Sequence, residues 1–395
     1  MEILPPIFSF LIVLTLVLVF SKYELYLTLM IGAISFGILA GIDVFDSLIT
    51  TLLDPAIILL AIAVLFIPIL GGLMDESGLM VELVDKMDVS KKVSLMISPA
   101  LYGLLPVAGG ALMSAPIVDS IAPDMNASRK VAINVWYRHI FILIYPLSLL
   151  AISEIANINL YLIVIAMLIP FILLIIIGYV FFIRSIEEER AARERDIKKV
   201  ITNLVPILIA PLFDIISRIF FNIAYPEIFL IIGLYTSVFV CVKMGALPIK
   251  AIATISKKMK IWRFPLLIVA MFLFLEIFTR SSVPDTIGNL KLPFILLLCI
   301  AFFLGFATGR IQLPLSIMIP IYTIQNSILV IPLLDFSFLY LAIFLGYLIT
   351  PIHPCLVYSL NYFNDTYKNL LKHMLLPTFV SLGVLLGIYA FISLL

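Results

Sequence analysis

Charged residues are scarce in this sequence. Only 12% of the 395 residues are Asp, Glu, Lys or Arg, whereas 63% are hydrophobic, and the mean hydropathy is +1.23. Ordinary soluble domains carry about 25% charged residues. The composition therefore excludes a soluble globular domain. It predicts an all-α, multi-pass membrane protein of the plasma membrane, surrounded by the lipid bilayer and without a nucleic-acid partner.

Cysteine and catalytic motifs are equally sparse. Cys241, Cys299 and Cys355 are isolated and match no disulfide or metal-binding spacing. The sequence contains no H-E-x-x-H and no G-x-S-x-G motif, and His139 and His353 are 214 residues apart (353 − 139). We therefore expect no enzymatic activity and no resident cofactor. A membrane-embedded enzyme is the less favoured alternative, because the fold can still bring distant residues together.

The N-terminus lacks the features of a signal peptide. It reads MEILPPIFSF, with Glu2 where such a peptide would carry Lys or Arg, and no small-residue cleavage site follows. We therefore expect the first apolar segment to be retained.

Ten apolar segments are long enough to cross a bilayer, which requires about 20 residues. They lie near 4–21, 23–41, 55–74, 134–156, 158–183, 200–222, 227–244, 264–281, 336–360 and 374–395.

A further apolar stretch, 93–122, has basic residues at both ends: Lys91 and Lys92 before it, Arg129 and Lys130 after it. Basic loops prefer the cytoplasm, so both of its ends should lie there. Thirty residues (122 − 93 + 1) are too few for two crossings and a turn, and a re-entrant hairpin is expected. Another stretch, 292–329, contains Arg310, and its length alone leaves its topology open.

The basic residues also set the orientation. With both termini outside, 20 of the 25 Lys and Arg residues fall on the cytoplasmic side (25 − 5). The other five are Arg138, Arg218, Arg280 and Arg310, in or beside apolar segments, and Lys291 outside.

The chain divides into two similar halves at the charged run 184–199, which is predicted to be a solvated helical linker in the cytoplasm. Repeat 1 spans 1–183 and repeat 2 spans 200–395. Each has two spans, an amphipathic stretch (43–54 or 247–263), a third span, a hairpin, a broken span and a last span. Repeats of five spans must insert in opposite orientations, as in many secondary transporters. This inverted plan predicts that 292–329 is the second re-entrant hairpin.

The fourth span of each repeat is interrupted. In repeat 2 the interruption is LITPIHPC, 348–355, and in repeat 1 it is NVWYRHIFILIYP, 134–146. Prolines remove backbone donors and block the preceding helical turn. Broken helices at membrane depth expose free N–H groups that bind anions and free C=O groups that bind cations. The sequence therefore predicts a binding site at the two breaks, with His139 and His353 in similar places.

These motifs resemble the ion transporter superfamily, most closely a family of uncharacterised prokaryotic membrane proteins within it. Gluconate permeases, dicarboxylate–sodium symporters and the membrane subunits of binding-protein-dependent carboxylate transporters are more distant relatives. The resemblance rests on the two-hairpin plan, on GLLPVAGGALMSAPIVD (103–119) and on GYLITPIHPCLVYSLNYF (346–363). It implies an elevator mechanism, a homodimer formed through a scaffold, and cation-coupled transport of a small anion.

On this basis the scaffold comprises 1–92 and 200–291, and the transport domain comprises 93–183 and 292–395. Sodium-coupled dicarboxylate transporters carry Ser-Asn-Thr at their hairpin tips. Here the tips read VAGGALMS and GFATGRIQLP, so neither sodium coupling nor a dicarboxylate substrate follows from the resemblance.

The candidate site combines the two hairpin tips with the two breaks. An arginine at membrane depth signals function, and its planar fork suits a carboxylate or phosphate, so Arg310 is predicted to bind the anion. The predicted substrate-binding residues are Gly109, Gly110, Ser114, Asn134, His139, Thr308, Gly309, Arg310, Gln312, Thr350 and His353.

The coupling ion is predicted to be sodium or a proton. Sodium would bind near Gly110, Ser114, Asn134, Thr308 and Thr350. A proton would be carried by the histidines. In contrast, Asp214 with Arg218 and Glu276 with Arg280, each spaced i, i+4, are expected to form structural ion pairs. An anion channel is the alternative to a transporter.

Overall fold

The computed structural model describes residues 3–20, 24–87, 89–104, 110–188, 196–221 and 223–394. Their regular secondary structure is entirely helical. In the first half the α-helices are α1 Pro6–Phe20, α2 Leu25–Ala40, α3 Val44–Leu53, α4 Pro55–Glu76, α5 Leu79–Asp85, α6 Lys91–Gly103, α7 Gly110–Ile121, α8 Ala127–Ile140, α9 Pro146–Ala156 and α10 Leu160–Gly178. A 3₁₀ turn, Phe141–Leu143, follows α8, and a π-helical turn, Tyr179–Ile183, extends α10.

The second half has the same number of described α-helices. They are α11 Ile197–Phe220, α12 Glu227–Met244, α13 Lys250–Met259, α14 Arg263–Arg280, α15 Val283–Gly288, α16 Phe294–Thr308, α17 Gln312–Gln325, α18 Leu333–Ile349, α19 Pro354–Tyr362 and α20 Tyr367–Ile392.

These helices make a multi-pass membrane protein. Six of the described segments are long and apolar enough to cross a bilayer, or up to eight if each of two bent pairs counts as one span. Every predicted span coincides with one of the described helices or broken helices, but α1 and α2 are short, at 15 and 16 residues. The count of ten spans therefore stays a prediction.

Both predicted hairpins are pairs of short helices. In the first pair, α6 and α7 have 13 and 12 residues; in the second, α16 and α17 have 15 and 14. At 1.5 Å per residue, none of them reaches the ~30 Å that a hydrocarbon core requires. Their lengths are those expected of re-entrant helices.

Glycines bring each hairpin into backbone contact with a broken helix. A Cβ atom added to Gly103 in α6 would lie 1.8 Å from the backbone oxygen of Arg138 in α8. In the second half, a Cβ atom on Gly305 in α16 would lie 2.1 Å from the backbone oxygen of Ile343 in α18. Only a residue without a side chain permits such an approach, so these two glycines fix the hairpins against the broken helices.

The two halves interlock through reciprocal contacts. The second hairpin arm of each half packs on the far segment of the other half's broken helix: α7 on α19, and α17 on α9. Likewise α2 and α3 pack on α14, while α12 and α13 pack on α4. Each half therefore completes the packing of the other.

One local expectation needs correction, and some local details were not expected. The described part of the charged linker, 184–188, forms turns and bends rather than a helix, and α11 already begins at Ile197. Residues 189–195 of the linker lie outside the described residues. The second amphipathic stretch is helical only over α13, because Lys260 adopts a left-handed conformation (φ 47°) that ends the helix. The short helices α5 and α15 were not expected.

The expected structural ion pairs are present. The Arg218 Nε lies 3.0 Å from Asp214 Oδ2, and its Nη2 lies 3.0 Å from Glu227 Oε1. The Arg280 Nε lies 2.6 Å from Glu276 Oε1. Both arginines therefore have acidic partners.

Candidate anion-binding site

The break in the second half separates α18 from α19. Thr350 follows α18 with an extended backbone (ψ 137°), and His353 precedes Pro354, the first residue of α19. The freed carbonyl of Ile349 accepts a hydrogen bond from the Tyr367 hydroxyl at 2.7 Å. Two buried polar atoms, Thr350 Oγ1 and His353 Nδ1, have no hydrogen-bond partner among the described residues. Since burying an unpaired polar atom is costly, the break is ready to bind a ligand.

The tip of the second hairpin rests on this break. Gly309 has a φ of +60°, and a Cβ atom there would lie 2.8 Å from Ile352 Cγ1 and 3.5 Å from Thr350 Cγ2. Thr308 shapes the tip, because its hydroxyl donates to the Leu304 carbonyl at 2.7 Å and accepts from the Arg310 N–H at 3.2 Å.

Arg310 also belongs to this tip, and its guanidinium pairs with no acidic side chain of the described residues. Its side chain is partly buried, and its hydrogen bonds among the described residues are those of its backbone N–H and C=O with the Thr308 hydroxyl. Gln312 begins α17, and its side-chain amide likewise bonds to none of the described residues.

The two breaks meet through their histidines. The rings of His139 and His353 lie 4.5 Å apart, centroid to centroid, in an edge-to-face arrangement. The Tyr347 hydroxyl lies 2.9 Å from His353 Nε2, and His139 Nδ1 bonds to the Val135 carbonyl. The rings therefore lie together, as expected for a shared site.

The predicted equivalence of the two histidines is not exact. His353 immediately precedes the proline that begins α19, and in the first half Tyr145 holds that position before Pro146. His139 instead belongs to the last turn of α8, before the break. The histidines meet because the broken helices cross, not because they occupy matching positions.

Sequence analysis did not select Arg138, which the structure places beside the histidines. Only 3% of Arg138 is exposed, and its Nη1 atom is buried without a partner among the described residues. Arg138 directly precedes His139 in the last turn of α8. The sequence does distinguish Arg138, because it lies in an apolar segment and no acidic residue is three or four positions away.

A second polar cluster joins the first hairpin to both broken helices. Ser114 of α7 donates to Asn134 Oδ1 at 2.6 Å. The Asn134 amide donates to Ser359 Oγ of α19 at 2.8 Å and to the Ala111 carbonyl at 3.1 Å. These bonds occupy the Asn134 side chain and hold three helices together.

Sodium binding here stays a prediction. Gly110 is the first residue of α7, and Gly109 lies outside the described residues.

One group of side chains has the composition of a metal site. The ligand atoms of His139, His353 and Cys355 lie within 4.8 Å of one another, and two imidazoles with a thiol suit zinc or copper(I). However, no carboxylate belongs to the group, and the buried Arg138 directly precedes His139. This excess of positive charge favours an anion over a metal ion.

The comparisons with known proteins give a family and a similar fold. A family model described as "Protein of unknown function (DUF401)" matches residues 2–393. The chain belongs to this family. Among solved structures, it is similar to the YdaH transporter of Alcanivorax borkumensis, whose published description reports an unusual topology. The TM-score is 0.55 at 16% identity, over 83% of this chain and 84% of that one.

No curated protein matches the chain. The family match confirms the expected membership of an uncharacterised family, and the fold is similar to that of the YdaH transporter. The link to gluconate permeases and dicarboxylate–sodium symporters stays a prediction.

Proposed function

We propose that this DUF401 protein is a secondary active transporter that moves a small anion, an organic carboxylate, across the plasma membrane. Its coupling ion is sodium or a proton. The anion binds between the second hairpin tip and the two helix breaks, and Arg310 is its main charge partner.

The single observation that carries the proposal is the unpaired Arg310 guanidinium on a glycine turn that touches a broken helix. An arginine within a membrane is costly, at least about 2.5–3.5 kcal/mol. The preceding residue, Gly309, lies against Ile352 and Thr350, which adds the nearby N-terminus of α19 to the same region. Helix N-termini attract anions, so both features favour the same charge.

An inverted repeat and an elevator mechanism belong to this proposal. The reciprocal packing of α7 on α19 and of α17 on α9 supports two equivalent halves. In the proposed cycle, 93–183 and 292–395 move as a transport domain against a dimeric scaffold of 1–92 and 200–291. Hairpin helix α17 packs on α15, so this contact would have to slide.

A disulfide across that contact tests the elevator. A Cβ atom at Gly288 would lie 2.9 Å from Ile324 Cγ2, which places cysteines at both positions within reach of a disulfide. The Gly288→Cys/Ile324→Cys protein should lose transport on oxidation and regain it with a reductant, whereas each single variant should be insensitive. Full transport by the cross-linked protein would contradict the elevator.

Uptake into proteoliposomes tests the transport proposal itself. Radiolabelled small carboxylates, sulfate and phosphate would be supplied with and without sodium and pH gradients. We expect saturable uptake of an anion that one gradient drives, abolished by Arg310→Ala and weakened by Arg310→Lys, which keeps the charge but loses the fork. Uptake that does not saturate would instead favour an anion channel. Wild-type transport by a folded Arg310→Ala variant would refute the site.

A further inference from the structure

The intramembrane arginines form two groups. Arg218 and Arg280 each have an acidic residue at i−4 and are ion-paired with it. Arg138 and Arg310 have no acidic residue at i±3 or i±4, and no described residue pairs with either guanidinium. A structural role explains the first group, whereas the second group is left with two uncompensated charges.

Both unpaired arginines belong to the same region. Arg138 precedes His139, whose ring contacts His353 at 4.5 Å, and Arg310 follows Gly309, which touches Ile352. Each also lies at the C-terminal end of a helix, α8 or α16. The negative end of a helix dipole equals roughly half an elementary charge, so it offsets only part of each guanidinium charge.

We propose that Arg138 is a second anion-binding residue and that the transported anion carries two negative charges, one for each guanidinium. This inference rests on the proposed function and specifies its substrate class. A monoanion would leave one guanidinium buried without a counter-charge. Bidentate bonds to both arginines would compensate both charges. The two negative charges can belong to two carboxylates or to one oxyanion.

The alternative is that Arg138 only stabilises the fold. Its carbonyl does have a packing role, since it contacts Gly103. That role concerns the backbone, however, and would survive replacement of the side chain. A readout that depends on the ligand's charge separates the two interpretations.

Binding to the purified full-length protein provides that readout. Succinate would be compared with monomethyl succinate, and sulfate with methyl sulfate, by isothermal titration calorimetry at neutral pH. We expect the wild type to bind one dianion at least about tenfold more tightly than its monoanion, equivalent to about 1.4 kcal/mol. Succinate binding would assign two separate carboxylates, whereas sulfate binding would assign a single inorganic oxyanion and replace the proposed organic carboxylate.

Three variants complete the test. Arg138→Gln should bind the dianion and its monoanion with equal affinity, and Arg138→Lys should restore the preference with weaker binding. Arg280→Gln removes a positive charge elsewhere and should change nothing. Should Arg138→Gln fail to fold, the wild-type preference and the Arg138→Lys variant still decide.

The proposal is overturned if neither dianion binds, if the wild type binds the monoanion as tightly, or if Arg138→Gln keeps the preference. Saturable, Arg310-dependent uptake of a monoanion would overturn this inference while leaving the proposed function intact. A dianion preference that needs Arg138 but not Arg310 would overturn both the Arg310 site of the proposed function and this pairing of two charges with two arginines.

Discussion

Replacing Gly103 by alanine should push the first hairpin away from α8. The added Cβ atom would lie 1.8 Å from the Arg138 carbonyl oxygen, whereas such contacts essentially never fall below 3.0 Å. The two backbones must therefore separate by at least 1.2 Å (3.0 − 1.8). Because a backbone oxygen cannot rotate away, we expect a cost near the upper end of the ~1–3 kcal/mol typical of overpacking.

The matched control is Gly383→Ala in α20, where an added Cβ atom meets nothing within 4 Å. Both substitutions exchange glycine for a better helix former, a gain of up to about 1 kcal/mol. Thermal unfolding in detergent should give Gly103→Ala a clearly lower Tm than wild type, and Gly383→Ala an equal or higher one. Equal Tm values for the two variants would refute the close contact of α6 with α8.

Three further outcomes follow from the contacts of polar side chains. Asn134→Ala removes the buried hydrogen bonds of Asn134 to Ser114, Ser359 and the Ala111 carbonyl, so it should lower stability by about 1–3 kcal/mol in a denaturant titration; an unchanged midpoint would contradict this. Arg218→Gln leaves two buried carboxylates without their arginine and should lower stability by about 3–5 kcal/mol. In the same assay Arg280→Gln, at a more exposed ion pair, should lower stability by about 0–1 kcal/mol. Equal losses of stability would be contrary evidence. In a cysteine-free background, Ser90→Cys should react with an impermeant maleimide only from the cytoplasm and Asp46→Cys only from outside; the reverse labelling would refute the orientation.

Much of the architecture was predictable from the sequence because a membrane restricts the choices. A run of apolar residues in lipid must be helical, and the basic ends of 93–122 indicated a hairpin. Short helices such as α5 and α15 were missed, since six or seven residues give too little periodicity to detect.

The site was harder to predict than the fold. The Thr308–Arg310 tip and the prolines near His353 were recognisable from local sequence. Arg138 was not selected, because its unpaired state depends on which residues surround it in three dimensions. The absence of an acid at i±4 did distinguish it from Arg218, and that simple criterion would have found it.

Asn134 illustrates a different limit. Its residue type suits a sodium ligand, a hydrogen-bonded helix contact or a substrate contact equally well. Only the positions of Ser114 and Ser359, 20 and 225 residues away in sequence, reveal that its side chain joins three helices. Contacts between residues so far apart in the chain cannot be recognised from the sequence alone.

We propose that an anion binds where the second hairpin tip meets the helix breaks. The most direct measurement is a cryo-EM map with the tighter-binding anion and with its heavy-atom analogue, bromosuccinate for succinate or selenate for sulfate. The account predicts strong density within hydrogen-bonding reach of the Arg310 guanidinium, beside Thr350 and His353. Density for the bound anion elsewhere, with this region empty, would contradict it.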